Sequence, residues 1–161
     1  MSAVAVMIPL AAAGVAMVVA GPVMAVKGFQ GRADIQSELR GQGITFPGHG
    51  LSGAARAQQG RPVLTGPQAR LFAEMIGQNV LAATGGRTYA EVSAELMAAG
   101  GADEKLTKLR QTAFTGQMLR ASLLNAYQAW QVTTLVIGLG ALLVVVGAAL
   151  LAASVLLAAT G

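Results

Sequence analysis

The chain has 161 residues, 54% of them apolar and only 11% charged, about half the charged share of an ordinary soluble domain. All 11 basic and 7 acidic side chains, which sum to a net charge of +4, fall between Lys27 and Arg120, so Met1 to Val26 and Ala121 to Gly161 carry no charge. The lack of cysteine excludes disulfides and thiolate metal sites, and scattered charges of mixed sign lack the dense basic patch with aromatics that nucleic acid binding requires.

A bilayer core of about 30 Å is crossed by about 20 apolar helical residues, and each uncharged end supplies them. Ala3 to Val26 therefore reads as a transmembrane helix, within a first segment 1–26. Pro9 and Pro22 fall near its two ends, where a missing N–H or a kink is tolerated. A cleaved signal peptide fits less well, because no Lys or Arg precedes the apolar run and that run exceeds the usual core of about 7–15 residues. Beyond Lys27 the helix can continue through Ile35 and Leu39, four residues apart, until Gly41-Gln42-Gly43 stops it.

Ile44-Thr45-Phe46 before Pro47 is predicted to be extended, since a residue preceding proline avoids helical backbone. Gly48 to Gly66, rich in Gly, Gln, Arg and Ala, is expected to be a mobile loop. Thr65-Gly66-Pro67 then opens a helix whose apolar face is Leu71, Phe72, Met75, Ile76 and Val80, closed by Gly85-Gly86. A second helix follows: Thr88 and Glu91 fit a capping box, Tyr89, Val92 and Leu96 are expected to face inward, and Gly100-Gly101 ends it. The two helices are expected to form a hairpin that buries Phe72, Ile76, Tyr89, Val92 and Leu96 together. From Ala102-Asp103-Glu104 a long helical run passes through Leu106, Leu109, Phe114, Met118 and Leu119 into the C-terminal apolar stretch. Tyr127 and Trp130 suit a membrane interface, and a second transmembrane helix is expected from about Gln131 onward, within segment 121–161. The fold class is thus an all-α membrane protein, two transmembrane helices bracketing a mostly helical extramembrane segment 27–120.

Catalytic chemistry needs convergent polar groups, and the chain is poor in them. His49, in the Gly-rich loop, is the only histidine, so a multi-histidine zinc or iron site cannot be assembled within one chain. No phosphate-binding glycine motif occurs; Gly138-Leu139-Gly140 lies within the apolar stretch. No catalytic, cofactor or metal residue is expected, and the protein is read as not an enzyme. The informative pattern is one of packing. Gly14, Gly21 and Gly28 recur every seven residues in the first apolar stretch, and Thr133, Gly140, Gly147 and Ser154 do so in the second. Small residues on one stripe let helix backbones approach closely, and a seven-residue period predicts a left-handed crossing.

Ala83 to Glu91, containing Gly85-Gly86-Arg87-Thr88-Tyr89-Ala90-Glu91, together with Gly116 to Tyr127, containing Leu119-Arg120, resembles a family of small two-pass actinobacterial membrane proteins. Ile44 to Pro47 and Gln68 to Ala73 fit the same pattern, so the resemblance spans nearly the whole chain. Members of that family are often labelled aromatic ring-opening dioxygenases, a label that conflicts with the missing iron ligands here. Small accessory subunits of actinobacterial respiratory supercomplexes have a similar look. Relatives usually carry basic residues before the first span, and this chain has none. The resemblance implies a plasma-membrane location with both termini cytoplasmic and the middle segment extracytoplasmic. Lys27, Arg32 and Arg120 near the span ends point the other way, but a middle segment longer than about 60 residues translocates largely regardless of charge.

Two functions fit these features. One is a non-catalytic accessory subunit that docks through its small-residue helix faces on other integral membrane subunits, with lipids as its surroundings and no nucleic acid. The other is an autonomous membrane-anchored binding module, with the Gly48–Gly66 loop or the Gly-Gly-Arg-Thr-Tyr region recognising a small molecule or envelope component.

Overall fold

Two long helices dominate because the sequence holds no breaker strong enough to interrupt them. The computed structural model describes residues 3–51 and 53–160. Met1 and Ser2 of the expected first span, Ser52 of the expected loop and the final Gly161 lie outside the described residues. Helix α1 runs Ala3–Gly41 and carries both Pro9 and Pro22 inside it. Pro22 is therefore interior rather than terminal. The helix passes through it because local adjustment and the N–H groups that remain sustain a helix surrounded by apolar residues. Helices α2 (Gly66–Ala83) and α3 (Tyr89–Ala98) follow, and α4 spans Glu104–Thr160. Both α1 and α4 are long and apolar enough to cross a membrane. At 1.5 Å per residue the 57 residues of α4 extend about 85 Å, far more than one bilayer core, so much of that helix lies beyond any span.

The chain forms two compact units, one from the residues up to Asp34 with Trp130 onward, the other from Ile35–Ala129. Helices α1 and α4 run without a break through Val26 and Arg120, the points where charge begins and ends.

In the apolar unit α1 and α4 are antiparallel. A Cβ on Gly14 would stand 2.9 Å from the Gly147 carbonyl oxygen, one on Gly21 2.5 Å from that of Gly140, and one on Gly28 3.1 Å from that of Thr133. Only glycine permits backbones this close, and the descending register 14/147, 21/140, 28/133 makes a single seam. Val15, Val19 and Val23 on α1 and Leu135, Leu139 and Leu142 on α4 point outward, each at least half exposed. Such a surface is costly in water and neutral among acyl chains.

In the polar unit the core is a cluster of Leu39, Phe46, Val63, Ala69, Ala73, Ile76, Val80, Ala113 and Leu123. The described residues of the Gly48–Gly66 loop are flanked by a pair of backbone hydrogen bonds that join its two ends. The Phe46 N–H donates to the Arg61 carbonyl and the Val63 N–H to that of Ile44, both at 2.9 Å, around an isolated bridge between Thr45 and Pro62. Residues Gly53–Gln58 form a 3-10 turn, and Val63 is fully buried. These backbone bonds and the burial of Val63 contribute against the ordering entropy of this Gly-rich stretch.

The expected hairpin core of α2 and α3 is corrected in part. Phe72 packs edge-on to Phe46 at 5.1 Å, and Tyr89, 40% exposed, leans on Phe114 at 5.9 Å. Val92 and Leu96 are buried, apart from the cluster that holds Ile76.

Candidate functional site

The small residues of the two stripes meet one another. Gly14, Gly21 and Gly28 face Gly147, Gly140 and Thr133, and Ser154 is buried farther along α4. The hydroxyls on this face satisfy themselves, Thr133 donating to the Trp130 carbonyl at 2.7 Å and Ser154 to that of Leu151 at 2.8 Å, so no polar group is orphaned in the apolar unit by their presence. Docking on a second protein through these glycines would require the seam to open.

Trp130 and Tyr127, the two aromatics expected at a membrane interface, each carry an arginine. Arg32 lies over the Trp130 ring at 5.1 Å, in the apolar unit. In the polar unit Arg70 lies over the Tyr127 ring at 5.4 Å, donates to the Tyr127 hydroxyl at 3.3 Å and pairs with Glu74 at 2.9 Å. The Glu74 carboxylate first, then the Tyr127 hydroxyl, favour the charged guanidinium and raise its pKa.

Residues Gly85 to Glu91 build a turn. The Gly86 N–H donates to the Leu81 carbonyl at 2.7 Å with Gly86 at φ 81°, the left-handed closure that glycine adopts without strain. The Thr84 hydroxyl donates to the Arg87 carbonyl while the Arg87 Nε–H donates to that of Thr84, and Arg87 Nη1 reaches Glu95 at 2.6 Å. Thr88 and Glu91 complete a reciprocal capping box on α3. Thr88, with its backbone N–H first and its hydroxyl second, holds the Glu91 carboxyl below its ordinary range, and Arg87 adds a smaller push. These groups bond to each other and not toward a common hollow. Of the remaining motif residues, Leu119 is 44% exposed, and the Arg120 side chain lies along α2 at Gly77 with its buried Nε lacking a partner among the described residues.

Two of the hollows on the polar unit are lined by α2. One, about 390 Å³, lies between the loop at Pro47–Leu51, the 3-10 turn and α2, with His49, Glu74 and Gln78 on its rim. The other, about 510 Å³, runs between α2 and α4 over Ile76, Val80, Ala83 and Gly116, edged by Asn79, Gln111, Thr112 and Thr115. Gly116 lets the two helices close, since a Cβ there would collide with the Val80 side chain. Leu119, exposed on α4, lies one turn beyond Thr115 on the same face of the helix. Sequence reading missed this groove; the only signal was Gly116 interrupting the apolar periodicity of α4. Among the described residues no three His, Asp or Glu side chains gather to hold a metal ion.

Fold and sites together define an all-α protein with two helices able to cross a membrane and a small helical unit between them. No protein family, curated protein or solved structure matches the chain.

Proposed function

We propose that this protein is a non-catalytic accessory subunit of a larger assembly in the cell membrane, anchored by α1 and α4 and docking through the groove between α2 and α4. The supporting observation is that groove, about 510 Å³, with an apolar floor of Ile76, Val80, Ala83 and Gly116. A concave apolar groove edged by a few polar side chains is the form a contact site takes. The glycine stripes, filled from within the chain, leave docking to this groove. The resemblance suggests a respiratory-chain complex as the assembly, with the polar unit extracytoplasmic and both termini cytoplasmic.

The test is copurification in mild detergent with mass spectrometry of the retained proteins. Wild-type protein is expected in a high-mass assembly, and Leu119→Glu or Thr115→Glu to release it while the circular dichroism spectrum stays unchanged. Migration of all wild-type protein as a free monomer would overturn the proposal.

The hollow beside His49 supports a second reading, an autonomous membrane-anchored binding module. It calls for a monomer whose single His49 NMR resonance moves when envelope components are added. An unmoved resonance would count against it.

A further inference from the structure

Arg32 is oriented entirely by neutral groups. Its Nη2 donates to the Thr134 hydroxyl oxygen at 2.8 Å and its Nε to that of Thr133 at 3.4 Å. Both threonine hydroxyls donate their own protons to the Trp130 carbonyl, at 2.7 and 3.0 Å, so their lone pairs are left for the guanidinium. The Trp130 ring packs against the Arg32 guanidinium. This arrangement uses the Nε/Nη2 edge of the fork, and the terminal Nη1/Nη2 edge keeps two parallel N–H donors, with the last of an arginine's five on the far side of Nη1. The ion pairs among the described residues are Arg70–Glu74, Arg87–Glu95 and Lys108–Glu104, so Arg32 has no carboxylate counter-ion. Asp34, the only acid in the apolar unit, is two residues on and therefore about 200° around α1.

We propose that this guanidinium is a binding site for the phosphate of an anionic phospholipid, held on the Nη1/Nη2 edge beside the Trp130 ring. A planar fork with two parallel N–H groups matches a phosphate's oxygens, and an arginine already fixed by hydroxyls and an aromatic face loses little freedom on binding. A free phosphate offers the same oxygens, but the position favours a lipid. Lys27 and Arg32 are the first charges after the uncharged stretch of α1, and Trp130 is an aromatic of the kind that settles among headgroups. One turn before Arg32, Phe29 is 57% exposed and offers an acyl chain apolar surface. The proposal rests on membrane insertion and not on the docking groove.

The experiment is native mass spectrometry of the full chain released from phosphatidylcholine bilayers containing phosphatidylglycerol. Wild-type protein is expected to retain phosphatidylglycerol in preference to phosphatidylcholine, and Arg32→Ala to lower that retention about tenfold. Thr134→Val, close in shape and lacking the acceptor, should lower it about threefold with the helical pair intact. Lys27→Ala, which removes an equal but untethered charge, should change it less than about twofold. Equal losses in Lys27→Ala and Arg32→Ala, or no lipid preference, would overturn the site. Displacement of the lipid by excess inorganic phosphate would overturn the lipid as its ligand. Release of the wild-type chain from membranes by alkaline carbonate would instead overturn the membrane insertion that the proposal requires.

Discussion

Gly138 and Gly140 allow the same substitution to be compared two residues apart on one helix. A Cβ on Gly140 would lie 2.6 Å from the Gly21 carbonyl oxygen, 3.0 Å from the Ala25 nitrogen and 3.3 Å from the Met24 Cβ, whereas one on Gly138 meets nothing within 4 Å. Reaching ordinary contact at Gly140 requires the helices to part by about 0.8 Å, and a gap of that size forfeits about a quarter to a half of each dispersion contact it opens. Overpacking of this kind destabilises by about 1–3 kcal/mol. Replacing a helical glycine with alanine contributes up to about 1 kcal/mol in the other direction. Gly140→Ala should therefore destabilise by up to about 2 kcal/mol, and Gly138→Ala should be neutral or stabilising by up to about 1 kcal/mol. The assay is SDS titration of the full chain in mixed micelles, followed by circular dichroism. Shifts of the same sign and size in both variants would refute the backbone-to-backbone seam. Val23→Ala on the 57% exposed face of α1 should change stability by less than about 0.5 kcal/mol, since lipid or detergent refills the space.

Phe72→Ala should destabilise the chain by about 3 kcal/mol in a denaturant titration, through loss of the edge-on contact with Phe46; a change below about 0.5 kcal/mol would place Phe72 outside the core. Thr88→Ala should cost about 1 kcal/mol by removing the α3 cap. Because Thr88 depresses the Glu91 pKa, that cap contributes fully above the ordinary carboxylate range and is lost as the pH falls through the lowered value. Thermal melts of Glu91→Gln should thus show less acid destabilisation than wild type, and identical acid profiles would contradict the cap. With no native cysteine, His49→Cys gives a clean topology probe: an impermeant maleimide should label it on intact cells if the polar unit is extracytoplasmic.

The charge-free ends, long enough for a bilayer core, were readable as apolar helices from length and hydropathy alone, because both properties are local to a segment. So were the helix starts at Thr65 and Thr88 and the stops at Gly85-Gly86 and Gly100-Gly101, since a cap or a left-handed glycine acts within a few residues. Pairings between distant segments were not readable. The seven-residue stripes marked faces able to pack, but only the antiparallel register of α1 and α4 decides that they pack on each other and that Arg32 comes to rest on Thr134. Phe72 had the helical spacing to meet Tyr89, yet the folded-back segment from Ile44 to Val63 brings Phe46 to it instead. That segment reads as loose because its composition is poor in apolar residues. Its order comes from backbone hydrogen bonds between residues more than ten apart, which side-chain chemistry does not encode and only the tertiary structure supplies.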